Sequence, residues 1–493
     1  YKSLGFPSSK IALKYLSYAL LACVLGGIIG ILIGAIALPA VVMYIMRTLY
    51  FIPTMGFYFY PGYVAGGIAL CILSIVGAKW ISCMDTVRKR PAVLMRPKAP
   101  KAGKRIILEY ITPIWKRMKF LNKVTCRNLF RYKKRAFMTI TGIMGCTMII
   151  VLGYGIRDTV QGLLPSQYGK IILYDDIAMM SAMTERERTK MEAEWEGDVD
   201  EKLALRIDTL TLKFGEYNED ISVFVIPDEA DMAGYVAFYE YGTGKETSFA
   251  AERLFLTEST ARAMGIQAGD SVTLQDDKQM AGDYRIDLIL ENHIGNFIYM
   301  SRSAYEQYFP DYEANAYLIR LSGSSEDKKA WESRWKEDDR IQAISSTGEA
   351  EDTFANTTQL VSMVVYILIG MSAALALTVL FTLSNINISE RARELATIKV
   401  LGFSKKEVNA YVNKETILLT IIGILLGLPA GYVLTYLIMS SVNMMGVTMN
   451  VYVTPMAYAI AAGFTFGFAL FVDQLTNKDL NKINMVEALK SIE

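Results

Sequence analysis

Histidine is almost absent from this sequence: among 493 residues, His293 is the only one. A zinc motif of the H-E-x-x-H type needs two histidines, so we predict no metal site. For the same reason we expect no Ser-His-Asp arrangement beside the membrane-spanning segments predicted below.

Cysteine is scarce and unevenly placed. Residues 158–357 contain none, so this long stretch is not a small secreted module stabilised by disulfides. The five cysteines all lie in or beside apolar runs, at Cys23, Cys71, Cys83, Cys126 and Cys146.

A nucleotide-binding P-loop, G-x-x-x-x-G-K-[ST], is also missing. The nearest stretch is "YGTGKET" at 241–247, in which Glu246 follows Lys245 and the glycine spacing is wrong. Without the loop whose backbone N–H groups hold phosphate, we expect a non-catalytic chain that binds no cofactor itself.

Apolar residues, in contrast, are abundant: 52% of the chain is hydrophobic, and its mean hydropathy is +0.25. A single apolar run can be a buried core helix, but six that are long enough to cross a bilayer predict a polytopic α-helical membrane protein. These six runs lie at about 16–46, 61–84, 136–157, 359–387, 409–440 and 452–473.

The net charge of +1 conceals a strong asymmetry. Residues 158–356 contain 40 acidic and 19 basic side chains, whereas the rest of the chain contains 10 acidic and 32 basic ones. Bases in short loops mark the cytoplasmic side of a membrane. The segment 88–135, with 17 bases and one acid, is therefore predicted to be cytoplasmic.

Six spans then place the other loops. Residues 1–15, the loop 388–408 and the C-terminal tail lie inside, and the short loops at 47–60 and 441–451 lie outside.

The block 158–357 becomes an extracytoplasmic domain of a multi-pass cell-membrane protein. Its stretches "RIDTLTLKF", "ISVFVI" and "YRIDLIL" predict strands. The stretches "TERERTKMEAEW" and "SRSAYEQYF" predict helices, so we expect an α+β fold.

The basic segment 95–135 is predicted to connect two parts of the membrane region. Apolar residues recur at helical spacing from Ile114 to Tyr132, and bases fill the other faces. This pattern fits an amphipathic helix on the inner membrane surface; an ordinary helix packed on protein is the alternative.

The cytoplasmic loop reads "ISERARELATIKVLGFSKKEV" at 388–408. Its first part predicts a short amphipathic helix at about 389–402. Gly402 is placed to end this helix in a left-handed cap, and Ser404 with Glu407 forms an S-x-x-E capping box for the next one. Such a rigid elbow suits docking of a soluble partner; a simple connector with solvated charges is the alternative.

The motif Lys-x-Leu-Gly-Phe occurs twice, at 2–6 and 399–403, which indicates an internal repeat. Pro7 stands where Ser404 stands in the second copy, so Ser8 is expected to cap there. Glycines on one helix face also recur at the same offset, and we expect them to pack helices of the two repeats together; dimerisation is the alternative. They are Gly26, Gly30 and Gly34 in the first copy and Gly423, Gly427 and Gly431 in the second.

The elbow, followed by "GILLGLPAG", resembles the FtsX-like, or MacB-type, permease family of ABC systems. The stretches "RKRPAVLMRPKAPKAGKR", "VTCRNLFRYKKRAFMTITGIMGC" and "MVEALKSIE" agree with it. "LFLTESTARAMGIQAGDSVTL" and "ENHIGNFIYMSRSAYEQYF" resemble outer domains of the long two-repeat type common in Gram-positive bacteria. The resemblance makes 136–493 a second repeat, with a span at 136–157, the outer domain at 158–357 and three spans within 358–493. It makes 1–94 the last two helices of a first repeat, so we expect a C-terminal portion of a longer permease.

This resemblance implies the transmembrane subunit of an ABC transporter. A separate ATPase, acting as a dimer and binding ATP and Mg²⁺, would move the outer domain to export or extract a peptide, lipid or lipoprotein. The lipid bilayer and the rest of the first repeat are the other expected partners, and no nucleic acid is expected. The implied ATPase-coupling residues are Glu390, Arg391, Arg393, Glu394, Lys399, Leu401, Gly402 and Phe403, with Leu4, Gly5 and Phe6 from the first repeat.

Two other functions stay open at this stage. One is a signalling scaffold that activates a cell-wall hydrolase or a sensor kinase without transport. The other is a membrane-embedded hydrolase, because 40 acidic residues leave room for a catalytic carboxylate pair in the outer domain. That acidity can also attract a cationic peptide, although a solvated surface explains the same charges.

Overall fold

The computed structural model describes residues 6–49, 60–87, 133–250, 253–309, 312–400, 402–441 and 448–481, together with the single positions 116, 123 and 127. The predicted amphipathic connector helix lies outside the described residues apart from those three positions. The chain forms two compact units, Tyr1–Ile107 and Leu108–Glu493.

The N-terminal unit contains two helices that pack against each other, α1 (Ser8–Leu49) and α2 (Pro61–Val87). The carbonyl of Pro7 accepts hydrogen bonds from the backbone N–H groups of Lys10 (3.1 Å) and Ile11 (3.3 Å). Pro7 thus occupies the capping position expected for Ser8, which is already helical. A proline serves there because these bonds need only its carbonyl group.

The larger unit contains, in its described part, four long helices and four short ones. The long helices are α3 (Lys133–Ser166), α8 (Thr347–Val400), α9 (Lys405–Ser441) and α10 (Pro455–Asn481). The short helices are α4 (Glu185–Glu194), α5 (Glu258–Met264), α6 (Arg302–Glu306) and α7 (Ser325–Lys336).

Six helices of the described chain are long and apolar enough to cross a membrane, which is the number predicted. Because each stretch is at least 22 residues long and predominantly apolar, the chain is a multi-pass membrane protein. The third and fourth stretches extend further toward the outer domain than predicted. The six stretches are Ser8–Ile36, Pro61–Met84, Ala136–Ile171, Thr347–Ile386, Glu407–Ser441 and Pro455–Thr476.

The extracytoplasmic domain lies between α3 and α8 and is built on a mixed ten-stranded sheet. Two further strands, β4 and β5, form a separate hairpin. The strands are β1 (Asp176–Met180), β2 (Val199–Phe214), β3 (Tyr217–Ile226), β4 (Phe238–Tyr239), β5 (Glu246–Thr247), β6 (Phe255–Thr257), β7 (Ser271–Gln275), β8 (Ala281–Arg285), β9 (Leu288–Leu290), β10 (Phe297–Ser301), β11 (Ala316–Leu321) and β12 (Ile341–Ser346).

The order of the large sheet is β12-β1-β11-β2-β3-β10-β6-β9, and β7 joins β2 to β8. Two pairs, β3 with β10 and β6 with β9, are parallel, and the others are antiparallel. The long strand β2 holds the sheet together, since its first half pairs with β11 and its second half with β3 and β7. The α+β fold predicted for this domain is confirmed.

Local sequence patterns explain several of these elements. The predicted helix at "TERERTKMEAEW" is α4, which a capping box between Thr184 and Glu187 starts. Ser301 caps α6 by accepting a hydrogen bond from the Ala304 N–H at 3.1 Å. The stretch "YRIDLIL" is divided between β8 and β9 rather than forming one strand.

Helix α7 and α4 cover one end of the sheet through a cluster of tryptophans. Trp195, Trp331 and Trp335 are buried and meet edge to face or tilted, with ring centroids 5.7–6.1 Å apart. Aromatic rings favour such arrangements because the edge of one ring is positive and the face of the next is negative. This core holds α7 beside the end of β12, where α8 begins.

Candidate functional site: the two ends of helix α8

Helix α8 runs without a break from the outer domain to the cytoplasmic loop. Its 54 residues span about 80 Å, whereas the hydrocarbon core of a bilayer is about 30 Å thick. The apolar stretch ends at Ile386, so 14 further residues continue the same helix. The residues expected to form a separate short helix at 389–402 instead continue α8 as far as Val400. No glycine or proline interrupts the chain between Ile386 and Val400.

The cytoplasmic end of α8 is closed by the predicted turn. Gly402 has φ +94°, which favours a residue without a side chain. The Phe403 N–H donates to the Ile398 carbonyl at 3.4 Å, the long bond of a Schellman cap. The left-handed cap inferred from the sequence is present.

Helix α9 starts two residues later with the predicted capping box. The N–H and the hydroxyl of Ser404 both donate to Glu407 Oε2 at 2.8 Å. The Glu407 N–H in turn donates to Ser404 Oγ at 3.4 Å. These bonds satisfy N–H groups that the first turn of a helix leaves unpaired, so the turn is fixed at both sides.

Two apolar side chains flank this turn and face solvent. Val400 is 61% exposed and Phe403 is 49% exposed. Both lie beyond the apolar stretch of α8, on the side of the membrane predicted to be cytoplasmic. An exposed apolar pair on a rigid turn is a surface on which another protein can pack.

The structure describes few of the expected ATPase-coupling side chains. Besides Gly402 and Phe403, it describes Phe6, which is about half exposed. The backbones of Glu390, Arg391, Arg393, Glu394 and Lys399 lie in α8, but their side chains fall outside the described residues, as do Leu4, Gly5 and Leu401.

The glycine face of α9 packs against α3. A Cβ added to Gly423, Gly427 or Gly431 would lie 2.5–2.7 Å from side-chain atoms of α3. The side chains concerned are those of Ile143, Thr147 and Val151. We expected contacts between the two repeats, but these glycines pack within the second one. Glycine is needed because the two backbones approach too closely for any Cβ.

The matching glycines of α1 differ from those of α9. In the described part of the N-terminal unit, no atom lies within 4 Å of a Cβ added to Gly26, Gly30 or Gly34. Close packing at these three positions stays a prediction.

Helix α3 also bonds to the other spans through buried hydroxyl groups. The Ser372 hydroxyl of α8 donates to the Cys146 carbonyl at 2.8 Å. The Thr147 hydroxyl lies 3.2 Å from Thr465 Oγ1 of α10. In lipid, where water does not compete, such bonds fix neighbouring helices. Helix α3 is thus the centre of the four-helix group.

At the outer surface, a π-helical turn, Gln167–Ile171, follows α3 and contacts the outer domain. The buried Gln167 amide donates from Nε2 to Asn292 Oδ1 at 2.8 Å and accepts at Oε1 from the His293 N–H at 2.8 Å. The Thr448 N–H, from the loop between α9 and α10, donates to the His293 carbonyl at 2.9 Å. Three segments of the chain are therefore joined around Gln167 and His293: the turn after α3, the loop at 292–293 and the loop before α10.

A second contact joins α3 to the start of α10. The Asp158 carboxylate accepts from the hydroxyl of Thr454 at 2.6 Å and from its N–H at 3.0 Å. Thr159 of α3 bonds to the backbone of Tyr452 next to it. Because both acceptors are fixed to α3, the outer loop before α10 is held to that helix.

The outer end of α8 is anchored by Asp175. Its carbonyl accepts from both the N–H and the hydroxyl of Thr347, the first residue of α8, at 2.9 Å. Its carboxylate accepts from the Leu321 N–H (2.8 Å) and pairs with Lys328 Nζ (2.6 Å). One residue directly before β1 thus binds the start of α8, the end of β11 and helix α7.

Ion pairs between α7 and α8 add to this anchor. Lys329 pairs with Asp352 at 2.8 Å, and Lys336 pairs with Glu349. Both pairs are largely exposed, so each contributes at most about 1 kcal/mol. Because both join a lysine of α7 to an acidic residue of α8, they nevertheless hold α7 alongside the first turns of α8.

The single histidine has a structural environment. His293 is 4% exposed, and its Nε2 lies 3.6 Å from Glu291 Oε1. Burial lowers the pKa of the imidazole, while the Glu291 carboxylate opposes that shift. Among the described residues, no group of three or more His, Cys, Asp and Glu side chains could hold a metal ion.

Sequence reasoning missed the contacts that join the membrane helices to the domain. Gln167 and Asp175 gave no motif, because their partners lie more than 100 residues away along the chain. Gln167 lies ten residues beyond the predicted span 136–157, so its position gave no signal either. The "YGTGKET" stretch forms the turn between β4 and β5, where the Glu240 carboxylate accepts from the Thr243 hydroxyl at 2.7 Å.

Comparison with protein families matches residues 366–472 to a family described as FtsX-like permease C-terminal. The matched range begins within α8, includes all of α9 and ends within α10, and so contains the cytoplasmic turn and the glycine face. No curated protein matches the chain.

Two solved structures are similar to part of the chain. One is the periplasmic region of MacB from Actinobacillus actinomycetemcomitans, with 10% identity and a TM-score of 0.24, covering 38% of this chain and 94% of that one. The other is the extracellular domain of a noncanonic ABC-type transporter, YknZ, from Gram-positive bacteria. It has 12% identity and a TM-score of 0.23 and covers 34% of this chain and 97% of that one. At these scores neither similarity supports a conclusion about this chain.

Proposed function

We propose that this chain, which carries an FtsX-like permease C-terminal domain at 366–472, is the membrane subunit of an ABC system that couples a separate ATPase to its outer domain. The ATPase binds at the cytoplasmic turn after α8. That partner binds ATP together with Mg²⁺ and hydrolyses the ATP. These steps displace α8, and the outer domain follows. The work done outside is export or extraction of a peptide, lipid or lipoprotein.

The observation that carries this proposal is the continuity of α8. One helix of 54 residues joins the exposed cytoplasmic turn to the anchor at Asp175. A continuous helix transmits displacement along its axis, because its backbone hydrogen bonds resist compression and bending. A simple connector with solvated charges would not require a fixed turn at one end and a network of bonds at the other.

The surface at the turn supports a protein partner. Val400 and Phe403 provide apolar contact area, and the Schellman cap and capping box hold them in a fixed geometry. The charged residues of 390–399 directly precede this pair in the sequence and would fix the orientation of the partner. Apolar contacts at the centre and charged contacts at the rim are the usual composition of such an interface.

A co-purification experiment tests the docking. The chain, in detergent or nanodiscs, is mixed with a candidate ABC ATPase from the same organism, and binding and ATPase stimulation are measured. Replacing Arg391 and Glu394 together with alanine should abolish both, because the interface loses its charged contacts. Phe403→Ala should weaken binding by about tenfold, since truncating a central aromatic residue costs about 1–2 kcal/mol.

A matched control is available at the opposite end of α8. The double variant Lys329→Ala with Asp352→Ala removes the same two charges from the outer surface and should leave ATPase binding unchanged. Equal binding by the Arg391 and Glu394 double variant and by the wild type would contradict the proposed docking site.

A further inference from the structure

A buried carboxyl group without a hydrogen-bond partner lies in β1, next to the residue that precedes α8. Asp176, the first residue of β1, is 0% exposed. It lies opposite Ile319 of β11 on one side and Ser346 of β12 on the other. Within the described part of the chain, neither of its side-chain oxygens has a hydrogen-bond partner. An isolated buried carboxylate is costly, so this group must be neutralised or paired.

A second buried carboxyl lies on the far side of Ser346. Glu332 of α7 is 7% exposed, and its Oε1 accepts a hydrogen bond from the Ser346 hydroxyl at 2.7 Å. Ser346 has one hydroxyl proton, and this bond uses it. Its oxygen also accepts from the Glu349 N–H of α8 at 3.4 Å. The Ser346 hydroxyl therefore donates to Glu332, and no described donor forms a hydrogen bond to the Asp176 carboxyl.

The charged groups around Asp176 favour that protonated form. Burial, and then the nearby Glu332 carboxylate, raise the pKa of Asp176 to about 7. Asp175, the residue directly before the strand, acts in the same direction, while Ser346 and Lys336 of α7 oppose it. Lys336 is itself engaged with Glu349, so it neutralises this site only in part.

We propose that Asp176 and Glu332, which both neighbour Ser346, hold one proton between them, and that this proton secures the start of α8. The site is extracytoplasmic and needs no ATPase, so it is independent of the proposed coupling function. Ser346 lies directly before α8. Loss of the proton leaves a negative charge on each of its two acidic neighbours.

The pH window follows from the sign of the shift. Because the folded pKa of Asp176 is above its unfolded value, the folded state binds more protons between about pH 4 and pH 7. The stability from this group is complete below about pH 4 and decreases as the pH rises through about 7. Above that pH, the start of α8 is held less firmly.

Infrared spectroscopy of the full chain in nanodiscs tests the proton directly. The carbonyl band of a protonated carboxylic acid should be present in the wild type at about pH 6 and be lost with a midpoint near 7. Asp176→Asn should remove the Asp176 contribution, which is the difference between the wild-type and variant spectra, because burial also raises the pKa of Glu258 to about 7 and gives a second acid band. Thermal unfolding should show a melting temperature that falls between about pH 4 and pH 7 in the wild type and stays flatter in Asp176→Asn.

Two further variants keep the test decisive. Glu326→Gln, on the exposed side of α7, removes one carboxylate and should keep the band and its midpoint. Glu332→Gln removes the neighbouring negative charge and should move the midpoint of the Asp176 band to lower pH, even if Asp176→Asn does not fold. An acid carbonyl band of equal strength in the wild type and in folded Asp176→Asn, or a midpoint of the Asp176 contribution that Glu332→Gln leaves unchanged, would overturn the proposal.

Discussion

The two ends of α8 are held in different ways. The outer end is bound by residues distant in sequence, since Asp175 joins it to β11 and α7. The cytoplasmic end is held by local bonds within 398–407 and leaves Val400 and Phe403 exposed. The outer end is therefore an anchor within a folded domain, and the cytoplasmic end is a fixed surface available to a partner.

The largest expected loss of stability comes from a change within the membrane region, at the contact between α9 and α3. In Gly427→Leu, the new Cβ would lie 2.6 Å from Thr147 Cβ and 2.9 Å from the Met144 carbonyl oxygen of α3. Relief requires α9 to move away from α3, and we expect a loss of about 3 kcal/mol. Thermal unfolding in detergent should show this, and both ends should be disturbed.

The control for this variant is Gly463→Leu in α10. No described atom lies within 4 Å of a Cβ added at Gly463. This substitution should leave the melting temperature nearly unchanged. Equal losses in the two variants would show that close approach to α3 is not the cause.

A change at the anchor should have an intermediate effect and separate the two ends. Asp175→Ala leaves the Leu321 N–H and Lys328 without their acceptor, which should cost about 2 kcal/mol. Amide hydrogen exchange should accelerate at α7 and at the first turn of α8, but not at the cytoplasmic turn. Asp352→Ala, which removes only an exposed ion pair, should cost less than about 1 kcal/mol.

The smallest effect is expected at the cytoplasmic turn. Ser404→Ala removes the hydroxyl from the capping box and should cost about 1 kcal/mol. Faster hydrogen exchange should be confined to the first turn of α9. If the outer domain also exchanged faster, the two ends would not be held independently, and the comparison would fail.

The sequence predicted the cytoplasmic turn because its determinants are local. Gly402 and the pair of Ser404 and Glu407 lie within six residues, and each acts through backbone bonds of its own helix end. The six spans were predicted for a similar reason, since the thickness of a bilayer demands one long apolar run for each.

The continuity of α8 was not predicted, because its residue pattern changes from apolar to charged near Ile386. That change marks the membrane surface rather than a helix end. Gln167, Asp175 and Asp176 could not be assigned from the sequence for another reason. Their environments depend on strands and loops that only the folded sheet brings together.

The central claim is that α8 transmits movement between its ends, and a break in the helix tests it most directly. Ile386 lies at the end of the apolar stretch and is 38% exposed. Ile386→Pro removes a backbone hydrogen bond and kinks the helix. Ile386→Ala provides the control, because it trims the same side chain and keeps the helix.

The measurement is amide hydrogen exchange at α7 and the first turns of α8, with the partner ATPase bound and with or without a non-hydrolysable ATP analogue. We predict that the analogue changes this exchange in the wild type and in Ile386→Ala. In Ile386→Pro it should not, although the ATPase still binds at the turn. An equal response in Ile386→Pro would contradict transmission through α8.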